Sequence, residues 1–279
     1  ALIEENNLKE NPLDFTLWKK TEVGITFESP WSDGRPGWHT ECVVMIDESF
    51  NGAIDIHGGG LDLKFPHHEN EIAQAKTCSQ HTLANVWMHN GLINIGDSKM
   101  SKSSGEMILA KHMVADLGYD VVRWFMLSTH YRAPLRLTDE YVEQTKVELH
   151  KIYATLNKAY ATVTLQKQAW SSAIDDEIKE EYLSQFKDDF NTANAYKVIF
   201  DTMKRLNASL RVRDLDVDRV AVYANTIGYM LSVRGIDFTY VKIREEDVKV
   251  FELWNEAKAN KDFDAADKYR NHLMEKGLI

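Results

Sequence analysis

The 279-residue sequence has little of several things that mark whole classes of protein. Its two cysteines, Cys42 and Cys78, are too few for a disulfide-stabilised secreted scaffold, and a reducing compartment fits better because thiols there remain available as metal ligands. No run approaches the roughly 20 apolar residues that span a bilayer, and no basic-then-apolar signal segment opens the sequence. We therefore expect a cytoplasmic protein that does not bind a membrane.

Positive charge is also in short supply. Lysine and arginine number 33 against 43 aspartates and glutamates, which gives a formal net charge of −10. This balance argues against a generally basic nucleic-acid-binding protein. It does not exclude an enzyme acting on RNA, because only the contact surface has to attract phosphate.

The sequence contains no proline after residue 135, and the spacing of its apolar residues changes there. Before that point, short apolar runs at residues 42–46 and 53–56 predict buried strands between loops and helices, which is an α/β pattern. From Thr138 onward the pattern is helical, with Thr138 and Asn191 as caps. The apolar stripes predict a helical bundle: Leu149, Ile152, Leu156 and Tyr160; Ile178, Tyr182 and Phe186; Ala195, Ile199, Met203, Leu206 and Leu210; Val248, Phe251 and Trp254; and Phe263, Ala266, Tyr269 and Leu273, closed by Gly277.

Candidate metal ligands are concentrated between residues 38 and 71. Pro66 suits the first turn of a helix, and in such a helix His67 and Glu71 share one face. Cys42 would add a thiolate from another element, and a mixed Cys/His/Glu set suits Zn²⁺. The neighbours His68 and Glu69 point elsewhere on the helix and are poorer ligand candidates. The alternative is a polar helix start beside a small buried cysteine.

The segment SKMSKSSG at residues 98–105 is a second chemical feature. Lys99 and Lys102 lie three apart among small hydroxyl residues, so they predict a cationic loop. Such a loop can follow the triphosphate of ATP and stabilise charge on departing pyrophosphate. The alternative for an arbitrary Lys/Ser run is a solvated surface loop.

The sequence KMSKS at residues 99–103 resembles the signature of class I aminoacyl-tRNA synthetases. The blocks at residues 34–42 (GRPGWHTEC), 57–62 (HGGGLD) and 65–71 (FPHHENE) resemble the cysteinyl-tRNA synthetase family. So do residues 11–19 (NPLDFTLWK), 130–132 (HYR) and 188–193 (DDFNTA). The resemblance implies ATP-dependent activation of cysteine and its transfer to the cysteine tRNA. It also implies a zinc ion on Cys42, His67 and Glu71 that binds the substrate thiolate, which a serine hydroxyl would replace poorly.

The resemblance assigns further residues. Trp38 and His57 match positions that bind the substrate cysteine. The ATP, accompanied by Mg²⁺, is expected at Gly58, Gly59, Asp62 and Lys102, with Gly60 also allowing close backbone approach. Lys99 and Lys102 are the expected catalytic lysines. Asp62 is expected at the ribose hydroxyls.

The resemblance implies a partial Rossmann-like α/β catalytic domain at residues 1–147 and a helical domain for the anticodon stem of tRNA at residues 148–279. The family's HIGH motif and its fourth zinc ligand, a cysteine, would precede this segment. We therefore expect that the segment alone neither aminoacylates tRNA nor holds zinc tightly. We also expect a monomer. Two other functions stay open, namely a ligase that joins cysteine to an amino-sugar and a non-catalytic fragment that binds tRNA.

Overall fold

The computed structural model describes residues 9–50, 52–95, 98–99 and 109–279, with the backbone alone described at 98–99. The described residues form two compact units. The first contains residues up to Leu92 together with Arg132–Pro134, and the second contains Ile93–Tyr131 and Leu135–Ile279.

The first unit is built from short strands and helices. Strands β1 (Trp18–Lys20) and β2 (Gly34–Pro36) pair antiparallel. Helix α1 (Trp38–Phe50) leads to β3 (Ile54–Gly60), a tight turn Leu61–Leu63 and a helical turn Lys64–His68. Helix α2 (Glu69–Gln74) and the turn Ala75–Ser79 then lead to β4 (Ala84–Asn90). A small core of Val43, Ile46, Ala75 and Leu83 packs α1 against the end of the crossover, beside β3 and β4.

The prediction of a strand at residues 42–46 is wrong, because these residues lie within helix α1. Val43 and Ile46 are buried, whereas Val44 and Met45 are 52% and 61% exposed. This three-residue spacing of buried positions is helical, and a short apolar run alone does not distinguish a helix from a strand. The strand predicted at residues 53–56 exists as the start of β3, but Ile56 on it is 55% exposed.

Strands β3 and β4 pair in parallel, and this pairing positions the candidate site. The register places His57 opposite Trp87 and Gly59 opposite His89. Parallel neighbours need a crossover connection, and here the crossover contains Asp62, His67 and Glu71. The candidate ligands are therefore brought beside the strand that carries His57.

The second unit contains a three-stranded sheet in addition to its helices. Its order is β6 (Ser98–Lys99), β5 (Ile93–Ile95), β7 (Leu135–Leu137), with β5–β6 antiparallel and β5–β7 parallel. Helices α3 (Ala110–Leu117) and α4 (Tyr119–Met126) lie between β6 and β7 in the sequence. From Asp139 onward the elements are helices, but α3 and α4 show that helical structure in the second unit begins before β7.

The bundle that follows consists of α5 (Asp139–Leu165), α6 (Asp176–Lys187), α7 (Thr192–Ser209), α8 (Val217–Val233), α9 (Glu245–Ala259) and α10 (Phe263–Glu275). Both predicted caps are confirmed. The Thr138 hydroxyl accepts from the N–H of Tyr141 at 3.2 Å, and the side-chain oxygen Oδ1 of Asn191 accepts from the N–H of Asn194 at 3.1 Å. Such caps satisfy N–H groups that have no partner within the helix.

The mainly apolar core of the bundle contains the guanidinium group of Arg234, which is 1% exposed. Its Nε donates to the Tyr182 hydroxyl and its Nη2 donates to the carbonyl of Thr192, both at 3.0 Å. The guanidinium carbon lies 4.1 Å from the centre of the Tyr196 ring and 5.6 Å from that of Trp124. This one side chain therefore links helices α4, α6 and α7.

Helices α9 and α10 pack against each other, and Gly277, whose φ of +65° is readily adopted by glycine, follows the end of α10. Phe263 was expected on the apolar face of α10 but is 72% exposed, since it is the first residue of the helix. Lys276 forms an ion pair with Asp247, and the backbone N–H of Arg244 donates to the same carboxylate. Burial alone would raise the pKa of Asp247, but these two hydrogen bonds outweigh it and lower the pKa. Within the described residues, no helix is long and apolar enough to cross a membrane.

Candidate active site

The three predicted zinc ligands meet in space, although they come from different elements. Cys42 lies on α1, His67 on the turn before α2, and Glu71 within α2. Helical φ and ψ angles resume after Phe65, so His67 and Glu71 share one face as expected. One potential ligand atom from each of the three residues lies within 4.8 Å of the others. The fold therefore brings together the three side chains that the sequence analysis proposes as zinc ligands.

Glu71 is the centre of this cluster and is fully buried. Its Oε1 lies 2.9 Å from Nε2 of His67, and its Oε2 lies 3.1 Å from Nε2 of His57. Neither contact is aligned as a hydrogen bond, so both oxygens are buried without one. Burial raises the pKa of Glu71, although the neighbouring His57 opposes this effect. A buried carboxylate without hydrogen bonds is costly unless a cation or a proton compensates it.

The chemistry of the donor set fits Zn²⁺. Ligands about 2.0–2.3 Å from a tetrahedral zinc ion lie about 3.3–3.8 Å apart, so a small closure of the cluster suffices. Burial and the Glu71 carboxylate raise the pKa of the Cys42 thiol to about 11, and burial lowers the pKa of His67. Burial therefore favours the neutral imidazole that a ligand needs, and a bound dication would displace the thiol proton.

His68 is a member of the site that the sequence interpretation set aside. It is 3% exposed and, with His57 and Glu71, forms a second group of potential ligand atoms within 4.8 Å of one another. Its Nδ1 lies 2.8 Å from Nε2 of His89, and burial followed by the charge of His57 lowers its pKa to about 4. The earlier expectation that His68 points elsewhere is therefore wrong. The face it occupies lies against β3 and β4.

Glycine at position 59 provides the space for His68. A Cβ atom added there would lie 2.9 Å from Cε1 and 3.0 Å from Nε2 of that imidazole. A glycine in a strand often marks such a close approach. The run of three glycines was the sequence signal that could have located His68, but it was assigned wholly to the nucleotide.

Trp38 and His39 form the other wall of the cluster. The Trp38 ring stacks on the imidazole of His67, with 4.3 Å between the centroids, while 59% of the Trp38 residue remains exposed. His39 Nδ1 lies 2.7 Å from Nδ1 of His67. Trp38 was predicted as a substrate-binding residue, whereas His39 was not singled out.

The structure describes the positions of some, but not all, of the predicted ATP-binding residues. Gly58 and Gly59 lie on β3, and Asp62 lies on the tight turn that follows it. A Cβ added at Gly60 would overlap with Oδ1 of Asp62, so the backbone and this carboxylate are adjacent. Lys99 pairs with Asn94 through its backbone in β6, and Lys102 lies outside the described residues.

Comparison with known proteins shows the family to which the chain belongs. Residues 1–147 match the family model described as the tRNA synthetases class I (C) catalytic domain, and residues 181–239 match the DALR domain. These matches show a class I tRNA synthetase catalytic domain followed by DALR helices, and the predicted order of an α/β part and a helical part is confirmed. The catalytic-domain match covers more than half of the chain, and the chain belongs to the cysteine family, class I (C), of these synthetases.

Curated relatives agree with that family. A cysteine–tRNA ligase of Acholeplasma laidlawii is 42% identical over 271 residues, which are 97% of this chain and 60% of the relative. That of Mesoplasma florum is 37% identical over 279 residues, covering 99% of this chain and 63% of the relative. The chain thus spans about 60% of the length of these relatives.

A solved structure supports the fold alone. The crystal structure of a ternary complex of Agrobacterium radiobacter K84 agnB2 LeuRS with tRNA and LeuAMS aligns with a TM-score of 0.53 at 14% identity. The alignment covers 74% of this chain and 31% of that one.

Proposed function

We propose that the protein containing this chain is a cysteine–tRNA ligase, which activates cysteine with ATP and transfers it to the cysteine tRNA. The observation that carries the proposal is the convergence of Cys42, His67 and the buried Glu71 on one point. The similarity of the whole chain to cysteine–tRNA ligases supports the same conclusion.

Cys42, His67 and Glu71 would hold a zinc ion through sulfur, nitrogen and oxygen, respectively. When bound, zinc would supply a soft Lewis acid that accepts the thiolate of the substrate cysteine as a ligand. Selection against serine would follow, because a site built for one donor rejects an analogue that lacks it.

Other residues of the chain would shape the amino-acid pocket. The exposed edge of Trp38 is available to a small substrate while its face holds His67 in place. His57 Nε2 lies 3.1 Å from Oε2 of Glu71, so its role in substrate binding would include positioning this ligand. Both roles remain proposals about the complete protein.

ATP with Mg²⁺ would bind along the β3 edge. Gly58 and Gly59 would allow the backbone to approach the nucleotide, and Asp62 would accept hydrogen bonds from the ribose hydroxyls. Lys102, supported by Lys99, would stabilise the charge that develops on pyrophosphate as the cysteinyl adenylate forms. Nucleotide binding would therefore depend on residues next to the zinc cluster in sequence.

The helical domain, proposed at residues 148–279, would bind tRNA. It includes the whole DALR match at residues 181–239. We also propose a monomeric enzyme of the cytoplasm, in keeping with its assigned role in protein synthesis. The comparisons name tRNA ligases and give no support to cysteine transfer onto an amino-sugar.

The test uses the full-length protein. We expect cysteine-dependent exchange of pyrophosphate into ATP, followed by cysteine transfer to tRNA but not to an amino-sugar. Cys42→Ser should abolish cysteine-dependent exchange, whereas Cys78→Ser should not, because Cys78 is an exposed free thiol outside the cluster. Transfer to an amino-sugar, or tRNA binding without adenylate formation, would contradict the proposal.

A further inference from the structure

We infer that His39 is a positioning residue that fixes the tautomer and orientation of His67 at the metal cluster. The inference rests on the proposed function, because it concerns how the chain presents a ligand to zinc. It assigns a role to a side chain that lies outside both groups of potential ligands found among the described residues.

The contact between the two imidazoles carries the argument. Their Nδ1 atoms lie 2.7 Å apart, so one of them must carry the proton and donate it to the other. The opposite nitrogen of His67, Nε2, lies 2.9 Å from Oε1 of Glu71. One ring nitrogen of His67 thus faces His39, and the other faces the ligand cluster.

Two tautomeric arrangements satisfy these distances. If His39 donated, His67 would carry its proton on Nε2 and would have to donate it to Glu71. That contact is not aligned as a hydrogen bond. If His67 donates from Nδ1 instead, the lone pair of its Nε2 is directed at the cluster, which is the form that a metal ligand needs.

The surroundings hold His39 in place for this task. The ring of Phe15 packs edge-on against His39, with 5.6 Å between the centroids, and Trp38 stacks against both imidazoles at 5.6 Å and 4.3 Å. Because these rings restrict the rotation of the His39 imidazole, its Nδ1 stays in a fixed position to accept from His67. Residues that orient a ligand in this way typically change metal affinity about 10- to 100-fold when they are replaced.

The experiment compares two replacements of His39 in the full-length protein. In His39→Asn, the side-chain oxygen lies close to where Nδ1 was and can still accept from His67, whereas His39→Leu has no acceptor. Zinc affinity is measured by competition with a chromophoric chelator, and the ligand field is followed by the visible absorption of bound Co²⁺. His150→Leu, at an exposed position on α5, is the matched control.

We expect about 10- to 100-fold weaker zinc binding and an altered Co²⁺ spectrum for His39→Leu, with affinity within a few-fold of wild type for His39→Asn and the control. Wild-type affinity in His39→Leu would overturn the inference, as would an equal loss in both variants, since that would indicate packing alone. If the wild-type protein itself binds no zinc, the proposed zinc site is wrong and this inference falls with it.

Discussion

Replacing Arg234 should expose how the helical bundle is held together. The side chain is buried, and among the described residues no carboxylate lies within ion-pairing distance of it. Its partners are the hydroxyl of Tyr182, the carbonyl of Thr192 and the faces of aromatic rings. One Nη atom has no hydrogen bond. This cation therefore depends on dipoles and rings instead of on a counter-ion.

The magnitude follows from these contacts. Two hydrogen bonds from a charged donor contribute about 1.5–3 kcal/mol each, and a desolvated guanidinium over an aromatic ring adds about 2 kcal/mol. The burial of the charge opposes them by several kcal/mol. Together with the cavity left behind, Arg234→Ala should lower the free energy of unfolding by about 3 kcal/mol. Arg234→Met should lower it by less than about half as much, because it fills the space and removes the desolvated charge.

The assay is urea denaturation followed by circular dichroism, combined with hydrogen exchange resolved to the amides of α6, α7 and α8. Loss of protection should be concentrated in those helices. A loss below about 1 kcal/mol for Arg234→Ala would refute the reasoning. So would a loss for Arg234→Met as large as that for Arg234→Ala, since it would show that the charge itself stabilises the bundle.

Three further predictions concern individual positions. The pKa of Asp247 is lowered in the folded chain, so the stability that its carboxylate contributes is present above its ordinary pKa of 3.8 and is lost as the pH falls through the folded value. Asp247→Asn should therefore flatten the acid limb of a plot of unfolding midpoint against pH. Gly59→Ala should lower the free energy of unfolding, measured by urea titration, by about 1–3 kcal/mol because its methyl group would overlap with His68. Gly58→Ala should lower it by less, because the nearest atom to the new methyl group would be 3.7 Å away. Equal losses in the two variants would argue against the overlap. Lys102→Ala in the full-length protein should reduce pyrophosphate exchange about 10²- to 10³-fold with unchanged zinc content, and an unchanged rate would exclude this lysine from catalysis.

Features that depend on local chemistry could be predicted from the sequence. Thr138 and Asn191 were identified as caps because a cap needs only a side-chain acceptor and the first N–H groups of the helix. The pairing of His67 with Glu71 was predictable for the same reason, since a spacing of four residues fixes a shared helix face.

Features that depend on contacts distant in sequence could not be predicted. Whether residues 42–46 formed a strand or a helix was decided by which side chains the rest of the first unit buries. His68 was considered a poor ligand candidate because the local sequence pattern does not reveal that β3 pairs in parallel with β4. This pairing supplies His89 as the partner of His68. His39 was missed because its partner lies 28 residues away.

X-ray absorption at the zinc edge of the full-length protein tests the central claim most directly. The account predicts one zinc ion per chain with mixed sulfur, nitrogen and oxygen ligands, and one additional sulfur ligand when cysteine is added but not when serine is added. Zinc binding that is unaffected by Cys42→Ala, or a zinc environment that cysteine leaves unchanged, would contradict it.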